Sequence, residues 1–425
     1  MKRRIVALLA ATALLSTVAA CGGGDGGSEP GPVRLLLPTG AFERSMQPVL
    51  AAFTKETGIK VEAISMPQED ARSRQVLDLN NRAGNIDLIL LDDVAWLSEV
   101  AAQLEPLDER MAADNVDIGD FLPQLVDVFN IDDKQYAFPL GVSPRTLIYR
   151  ADLFEAAGLT RPPTTYDEFL DYARKLNTGG VSGFVGPWGR ASSNVSIWLE
   201  LAFNHGLESA LSPDGKKAAF NNPAGVAAFK LMGDLYTGGL MPKDSIEFAH
   251  DGTLVAMQKG QAAMTILPIT FLRAMNDKSA SPHAGQFRIA PMPTAAGVST
   301  ARYVVTGWGY GLSKHTKNAD NAWTLLKFLN DKFQRPGADA DPEQLIRPAS
   351  NTAFANPKTQ EIFPDGQIDI VRKALESPET RPGVVQWGEI ESVLGESLQQ
   401  MFLGKMTAEQ ALADAEGKVN KILAG

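Results

Sequence analysis

The run Ile86–Leu91 constrains this chain more than any other stretch. It is almost continuously apolar and bounded by polar residues, so it reads as a strand covered on both faces. A strand with one wet face would alternate, so the covered strand belongs in a parallel sheet. The run stops at Asp92–Asp93, and Val94, Trp96 and Leu97 begin a helical pattern. A carboxylate pair therefore stands at the carboxyl end of a buried strand, on the turn into a helix. In open α/β sheets that edge is where ligands bind. The same aspartates would also serve as helix caps, accepting a bond from an unpartnered N–H.

The preceding residues supply the rest of such a sheet. Val33–Leu37 reads as a first strand, broken by Pro38–Gly40. Phe42, Met46, Val49, Leu50 and Phe53 recur at helical spacing, and Gly58 ends that helix. Ile59–Ser65 alternates as a second strand, Met66–Glu69 forms a turn, and a helix runs from Ala71 to Arg82. This β-α-β-α-β order predicts an α/β fold with a doubly wound parallel sheet. Right-handed crossovers would bring the turns Thr39–Gly40, Pro67–Glu69 and Asp92–Asp93 to one edge.

A length of 425 residues suits two domains. The formal charge of −10 argues against nucleic acid or an anionic membrane surface as the main partner. Cys21 is the only cysteine, which excludes internal disulfides and cysteine-cluster metal sites. Lys2, Arg3 and Arg4, the apolar run Ile5–Leu15 and the small residues Val18–Ala20 make a secretion signal over 1–20. A cysteine directly after it resembles the lipobox of bacterial lipoproteins, in which that cysteine carries the lipid. Residues 21–32 then give a Gly-rich tether that cannot bury enough surface to order itself. No later run reaches the ~20 apolar residues that span a bilayer, so the expected location is extracytoplasmic, anchored to the membrane through Cys21.

The middle of the chain carries a resemblance. KQYAFPL, TLIYRADLFEAAGL and PPTTYDEFLDYARKL follow one another from Lys134 to Leu176. Later come GTLVAMQKGQAAMTI (Gly252–Ile266), FRIAPMPT (Phe287–Thr294), KNADNAWTLLKFLND (Lys317–Asp331) and GKMTAEQALADAEGKVNKIL (Gly404–Leu423). Together, in this order, they resemble the periplasmic-type solute-binding proteins of bacterial ABC importers, within the group that includes maltose- and trehalose-binding proteins. The last segment also stands alone. Thr407 and Gln410 make a capping box, and Ala411, Leu412, Ala415, Val419 and Ile422 share one face. The resemblance implies two α/β lobes joined by strands that cross between them, with a ligand cleft in between. It places one lobe at 33–141 plus 294–331 and the other at 145–292 plus 336–425.

A sugar offers hydroxyls at its rim and C–H faces above and below, so its site needs planar hydrogen-bonding groups and aromatic faces. The resemblance puts Asp92 at the position of an acid that accepts ligand hydroxyls, leaving Asp93 as the cap. Glu69 is a second acceptor candidate or a solvated surface acid. Trp96, Trp198 and Trp323 lie among leucines at helical spacing and read as core. Trp188 and Arg190 lie in a Gly- and Pro-rich loop that cannot be helical, and such loops often carry function. Gly307 and Trp308 occupy a stretch where the family has paired glycines and backbone approaches the ligand; the tryptophan is a departure. After Ile266, where maltose- and trehalose-type members place a stacking aromatic, only Phe271 is available. Arg381 matches a late Arg-Pro whose arginine reaches the sugar in trehalose-binding lipoproteins, or it is a surface arginine before a turn. Ser143, Arg145 and Trp387 complete the candidates.

The four histidines are scattered without metal spacing, and no nucleophile elbow, His-Glu-x-x-His or phosphate-cradling loop is present. No cofactor or metal is expected. The reading is a monomeric, lipid-anchored binding component that captures a small carbohydrate, a disaccharide or similar glycoside, and delivers it to membrane permease subunits without chemistry. Two rivals are the same fold holding a polyol phosphate or polyamine, and a secreted glycan-acting enzyme using Asp92 and Glu69 as a carboxylate pair.

Overall fold

Val33–Pro38 (β1), Val61–Met66 (β2) and Leu88–Leu91 (β3) lie parallel in the order β2-β1-β3 in the computed structural model, which describes residues 31–190, 192–376 and 378–425. Val33 pairs with Val61 and Leu35 with Leu88. All four residues of β3 are buried, as a strand covered on both faces must be. The crossovers are Ala41–Thr57 (α1) and Gln68–Asn80 (α2), and Val94–Val100 (α3) follows β3. Helix α2 starts three residues before the expected Ala71. Pro67 is its N-cap, where a missing N–H costs nothing, so Gln68 and Glu69 stand in the first helical turn instead of a loop. The Glu69 side chain lies outside the described residues, as do the secretion signal, Cys21 and the tether up to residue 30.

Two long strands carry the sheet onward. Gly141–Arg150 (β4) pairs antiparallel with Met264–Pro268 (β5) and Phe287–Ala290 (β6). Tyr303–Ser313 (β7) is shared. Its residues 309–312 pair with β3, and its residues 305–308 pair with β4. Backbone hydrogen bonds thus run without interruption from the parallel half to the antiparallel half, and β4 and β7 are the strands that cross.

The helices that matter below are Ser192–Asn204 (α4), His250–Gln258 (α5), Thr270–Met275 (α6), Ala319–Gln334 (α7), Trp387–Phe402 (α8) and Ala408–Leu423 (α9). Helix α9 opens with both bonds of its capping box. The Thr407 hydroxyl accepts from Gln410 N at 3.2 Å, and Gln410 Oε1 accepts from Thr407 N at 3.0 Å. At Tyr166–Leu176 only half the box forms. Thr165 caps Glu168 N, while the Glu168 carboxylate turns to Arg161 and Thr164 N. Trp198 and Trp323 are core residues, as their spacing predicts. Among the described residues no helix is long and apolar enough to cross a membrane.

Candidate functional site

A cavity of about 740 Å³ opens where the carboxyl ends of β1 and β3 face the β4–β7 crossing and helices α5 and α6. This is the size range of small-molecule sites. The three predicted turns do meet there, contributing Thr39 and Gly40, Pro67 and Gln68, and Asp92.

The wall built on the parallel strands is internally bonded. Gln75 pins β3 by exchanging two hydrogen bonds with the Leu90 backbone, at 2.7 and 3.2 Å. Trp96 is buried and donates its Nε1–H to Leu90 O at 2.8 Å. Arg72 lies 4.4 Å over the Trp96 ring and pairs with Glu99 at 2.9 Å. Asp93 is the cap of α3, its Oδ1 accepting from Trp96 N at 2.9 Å. Its other oxygen accepts from Arg381 Nε. Arg381, which precedes α8, also reaches Glu391 at 3.2 Å and Asp92 at 3.8 Å. Burial alone would lower the guanidinium pKa, but the three carboxylates around it raise it above the ordinary value. Asp92 Oδ2 accepts from Gln68 Nε2 at 3.1 Å, while Asp92 Oδ1 is buried without a partner. Burial, then the charge of Asp93, pushes the Asp92 carboxyl up to about 6 against the pull of Arg381 and Arg72.

The opposite wall is different. Ser143 and Arg145 are two residues apart on β4 and so project from one face. Arg145 is 2 % exposed, and its Nε and Nη1 donate to nothing. Ser143 Oγ and His250 Nε2, at the start of α5, are also buried and unpartnered. Burial, with Arg381 nearby, brings Arg145 down to about 10, so it keeps its charge at neutral pH. Burial and the Arg145 charge bring His250 down to about 3, which leaves its imidazole neutral. Buried polar groups normally have partners, so three adjacent exceptions on one wall mark the place a ligand would occupy.

Aromatic faces close the cavity. Trp308 on β7 meets Phe42 edge-on at 4.2 Å, and the Arg347 guanidinium lies 5.2 and 5.5 Å from the two rings. Arg347 donates to Ser45 Oγ at 2.9 Å and Glu343 O at 3.0 Å. It passes beside Gly141, where a Cβ would lie 2.9 Å from Arg347 Cβ and φ is +155°. Only glycine leaves room there without strain. Phe271, on α6, lines the cavity next to His250.

Of the expected residues, Asp92, Ser143, Arg145, Trp308 and Arg381 line the cavity. Arg381 bonds chiefly to Asp93 and Glu391, with Asp92 the more distant partner. Gly307 is buried in the β4–β7 ladder, opposite Val142, and its N–H donates to Asp92 O at 3.1 Å. It holds the Asp92 backbone in place.

Three expectations are corrected. Trp188 does not face the cavity. It is fully buried, stacks on Phe402 at 6.0 Å and donates its Nε1–H to Met232 O at 3.3 Å. Gly186 makes this possible, because a Cβ there would lie 2.0 Å from the Trp188 ring as it folds back. Arg190, beyond that loop, is exposed and away from the cavity. Trp387 is buried in the core cluster around Trp188, Trp198 and Leu394 and does not line the cavity.

The unforeseen lining residues include Phe42, Arg72, Ser196, His250 and Arg347. Arg347 had no distinguishing signal, since Arg-Pro also occurs at Arg161-Pro162 and Arg335-Pro336, where the arginines are exposed. Phe42 belongs to the apolar stripe of α1, which by itself indicates only core.

Residues 39–332 match the family model described as bacterial extracellular solute-binding protein. A probable ABC transporter-binding protein of Deinococcus radiodurans is 24% identical over 386 residues, covering 87% of this chain and 88% of the relative. The fold matches maltose-bound MalE3 of T. maritima with a TM-score of 0.81 at 25% identity, covering 92% of this chain and 100% of the other. It also matches an ABC transporter solute-binding protein of Agrobacterium radiobacter K84 in complex with ribitol, with a TM-score of 0.81 at 24% identity and coverage of 92% and 98%.

Proposed function

The chain belongs to the bacterial extracellular solute-binding protein family, and from that premise we propose that it is the substrate-binding component of an ABC importer for a small carbohydrate, a disaccharide or similar glycoside. One observation carries this reading. Asp92 Oδ1 on one wall and Ser143 Oγ and Arg145 Nε on the other are buried without partners, and Trp308, Phe42 and Phe271 line the same cavity. Carboxylate, hydroxyl and guanidinium groups are what rim hydroxyls bond, and the rings cover the C–H faces of a sugar. The maltose and ribitol complexes of the structural neighbours are in keeping with a polyhydroxylated ligand.

The binding step follows from the two walls. The ligand satisfies both at once only when they approach, so it favours the closed arrangement by its extra affinity for it. The permease subunits then receive the loaded form. Nothing in this cycle requires bond breaking, and the solute leaves unaltered. The basic, apolar and small-residue order of the first twenty residues and the position of Cys21 support secretion and lipid anchoring. More than one acyl chain, at roughly 0.8 kcal/mol per buried CH₂, makes that anchor stable. The protein works as a monomer.

Calorimetric titration and thermal shift against a panel of sugars, polyols, amines and peptides test the proposal. Heat and a rise in Tm with a sugar or polyol are expected. A response to an amine or a peptide alone would refute the carbohydrate assignment. Cys21→Ala should move the protein from the membrane fraction to the soluble extracytoplasmic fraction.

A further inference from the structure

We infer that the solute held in this cleft carries an anionic group, a carboxylate or a phosphate, on its polyhydroxylated body, and that this group lies against Arg145; the inference rests on the carbohydrate reading above. Three of the other arginines lining the cavity are ion-paired. Arg44 lies 3.8 Å from Glu343, Arg72 pairs with Glu99, and Arg381 pairs with Asp93 and Glu391. Arg347 gives Nη2 to Ser45 Oγ and Glu343 O and lies against two aromatic faces, which leaves one buried nitrogen, Nε, unbonded against two on Arg145. Arg145 is almost fully buried, forms no ion pair, and keeps Nε and Nη1 unbonded at the cavity wall.

The carboxylate that acts most on Arg145 is Glu200 of α4. Glu200 is itself fully buried and spends Oε2 on Val304 N at 2.6 Å. Burial raises its pKa well above the ordinary carboxyl value against the pull of Arg145, and among the described residues no ion pair joins the two. A buried cation without a counter-ion is costly. Neutral hydroxyls would satisfy its hydrogen bonds but add no opposite charge, and Glu200, Glu391 and Asp93 act on it without forming an ion pair.

The groups beside Arg145 complete an anion site. Ser143 Oγ is a donor two residues along the same strand face, and His250 Nε2 bears a proton in one tautomer of the neutral ring. A planar guanidinium with adjacent hydroxyl and imidazole donors matches carboxylate or phosphate oxygens. The free acceptor, Asp92 Oδ1, is on the other wall, and Asp92 is not among the charges that act most on Arg145. The two walls therefore orient the ligand, hydroxyl end toward Asp92 and anionic end toward Arg145.

Calorimetry on the full chain with matched ligands tests this. Maltose would be compared with maltobionate and with phosphorylated maltose, and ribitol with ribonate and phosphorylated ribitol. At least one anionic ligand should bind on the order of 10–100-fold tighter than its neutral parent. The carboxylated and phosphorylated arms tell which group is meant. Arg145→Gln should reduce that preference to within a few-fold, and Arg145→Lys should keep part of it. A neutral sugar that binds as tightly as its anionic forms overturns this inference and leaves the carbohydrate reading standing. Failure of every matched ligand overturns both. The wild-type comparison is decisive even if a variant does not fold.

Discussion

The two walls of the cleft are built from similar residue types and are in opposite states. On the wall of β1, β3 and α3, the polar side chains bond one another: Gln75 to Leu90, Asp93 to Trp96 N and Arg381, Arg72 to Glu99. Asp92 Oδ1 is the exception. On the wall of β4 and α5, Ser143, Arg145 and His250 have buried atoms with no partner at all. The first wall is a scaffold that would keep its shape without a ligand. The second gains its hydrogen bonds from the ligand, so it decides which ligand is held. Preorganisation and selectivity are thus placed on different strands of one continuous sheet.

Substitutions can break or sharpen that contrast. The largest effect falls on the bonded wall. Arg381→Met leaves Asp93 and Glu391 buried without their cation and should cost about 3–5 kcal/mol in chemical denaturation. Arg145→Met should not do this, because it breaks no ion pair and removes a group whose Nε and Nη1 have no hydrogen-bond partner. Its stability without ligand should be unchanged or higher, while calorimetry shows affinity reduced about 10–100-fold. If Arg145→Met destabilised the protein as much as Arg381→Met, the contrast between the walls would be false. Next in size, Trp308→Ala removes a cavity-lining ring and its edge contact with Phe42, and should weaken ligand binding about tenfold.

The smallest effect is on pH dependence. Asp92 goes from 3.8 to about 6 on folding, so between those values the folded chain binds more proton than the unfolded one. Its contribution to stability is therefore greatest at the acid end and declines as pH rises through that window. Asp92→Asn should flatten this slope, so that its stability relative to the parent rises from acid to neutral pH without ligand, read from denaturation at several pH values.

Local pattern made one wall legible and left the other to tertiary packing. The apolar Ile86–Leu91 run, the breaks at Pro38–Gly40 and Pro67, and the aspartates after the run located the scaffold wall, because strand burial and turn chemistry are local. The capping box of α9 was legible for the same reason. The direction of the Trp188 ring was not. It depends on Gly186 beside it and on Met232 O, 44 residues away in sequence. Arg347 reaches the cavity only because Gly141, distant in sequence on β4, leaves space for it. Phe42 serves core and cleft at once, and a helical stripe cannot distinguish those duties. Ser143 and Arg145 were among the candidates, but their lack of partners is a property of everything that packs around them.

A crystal structure of the complex with the tightest ligand from the matched panel tests the account most directly. A ligand oxygen should lie within hydrogen-bond distance of Asp92 Oδ1, and another of Arg145 Nε or Nη1, with the covalent structure of the ligand unchanged. A ligand seated elsewhere, or those two side chains still without partners in the loaded protein, would contradict it.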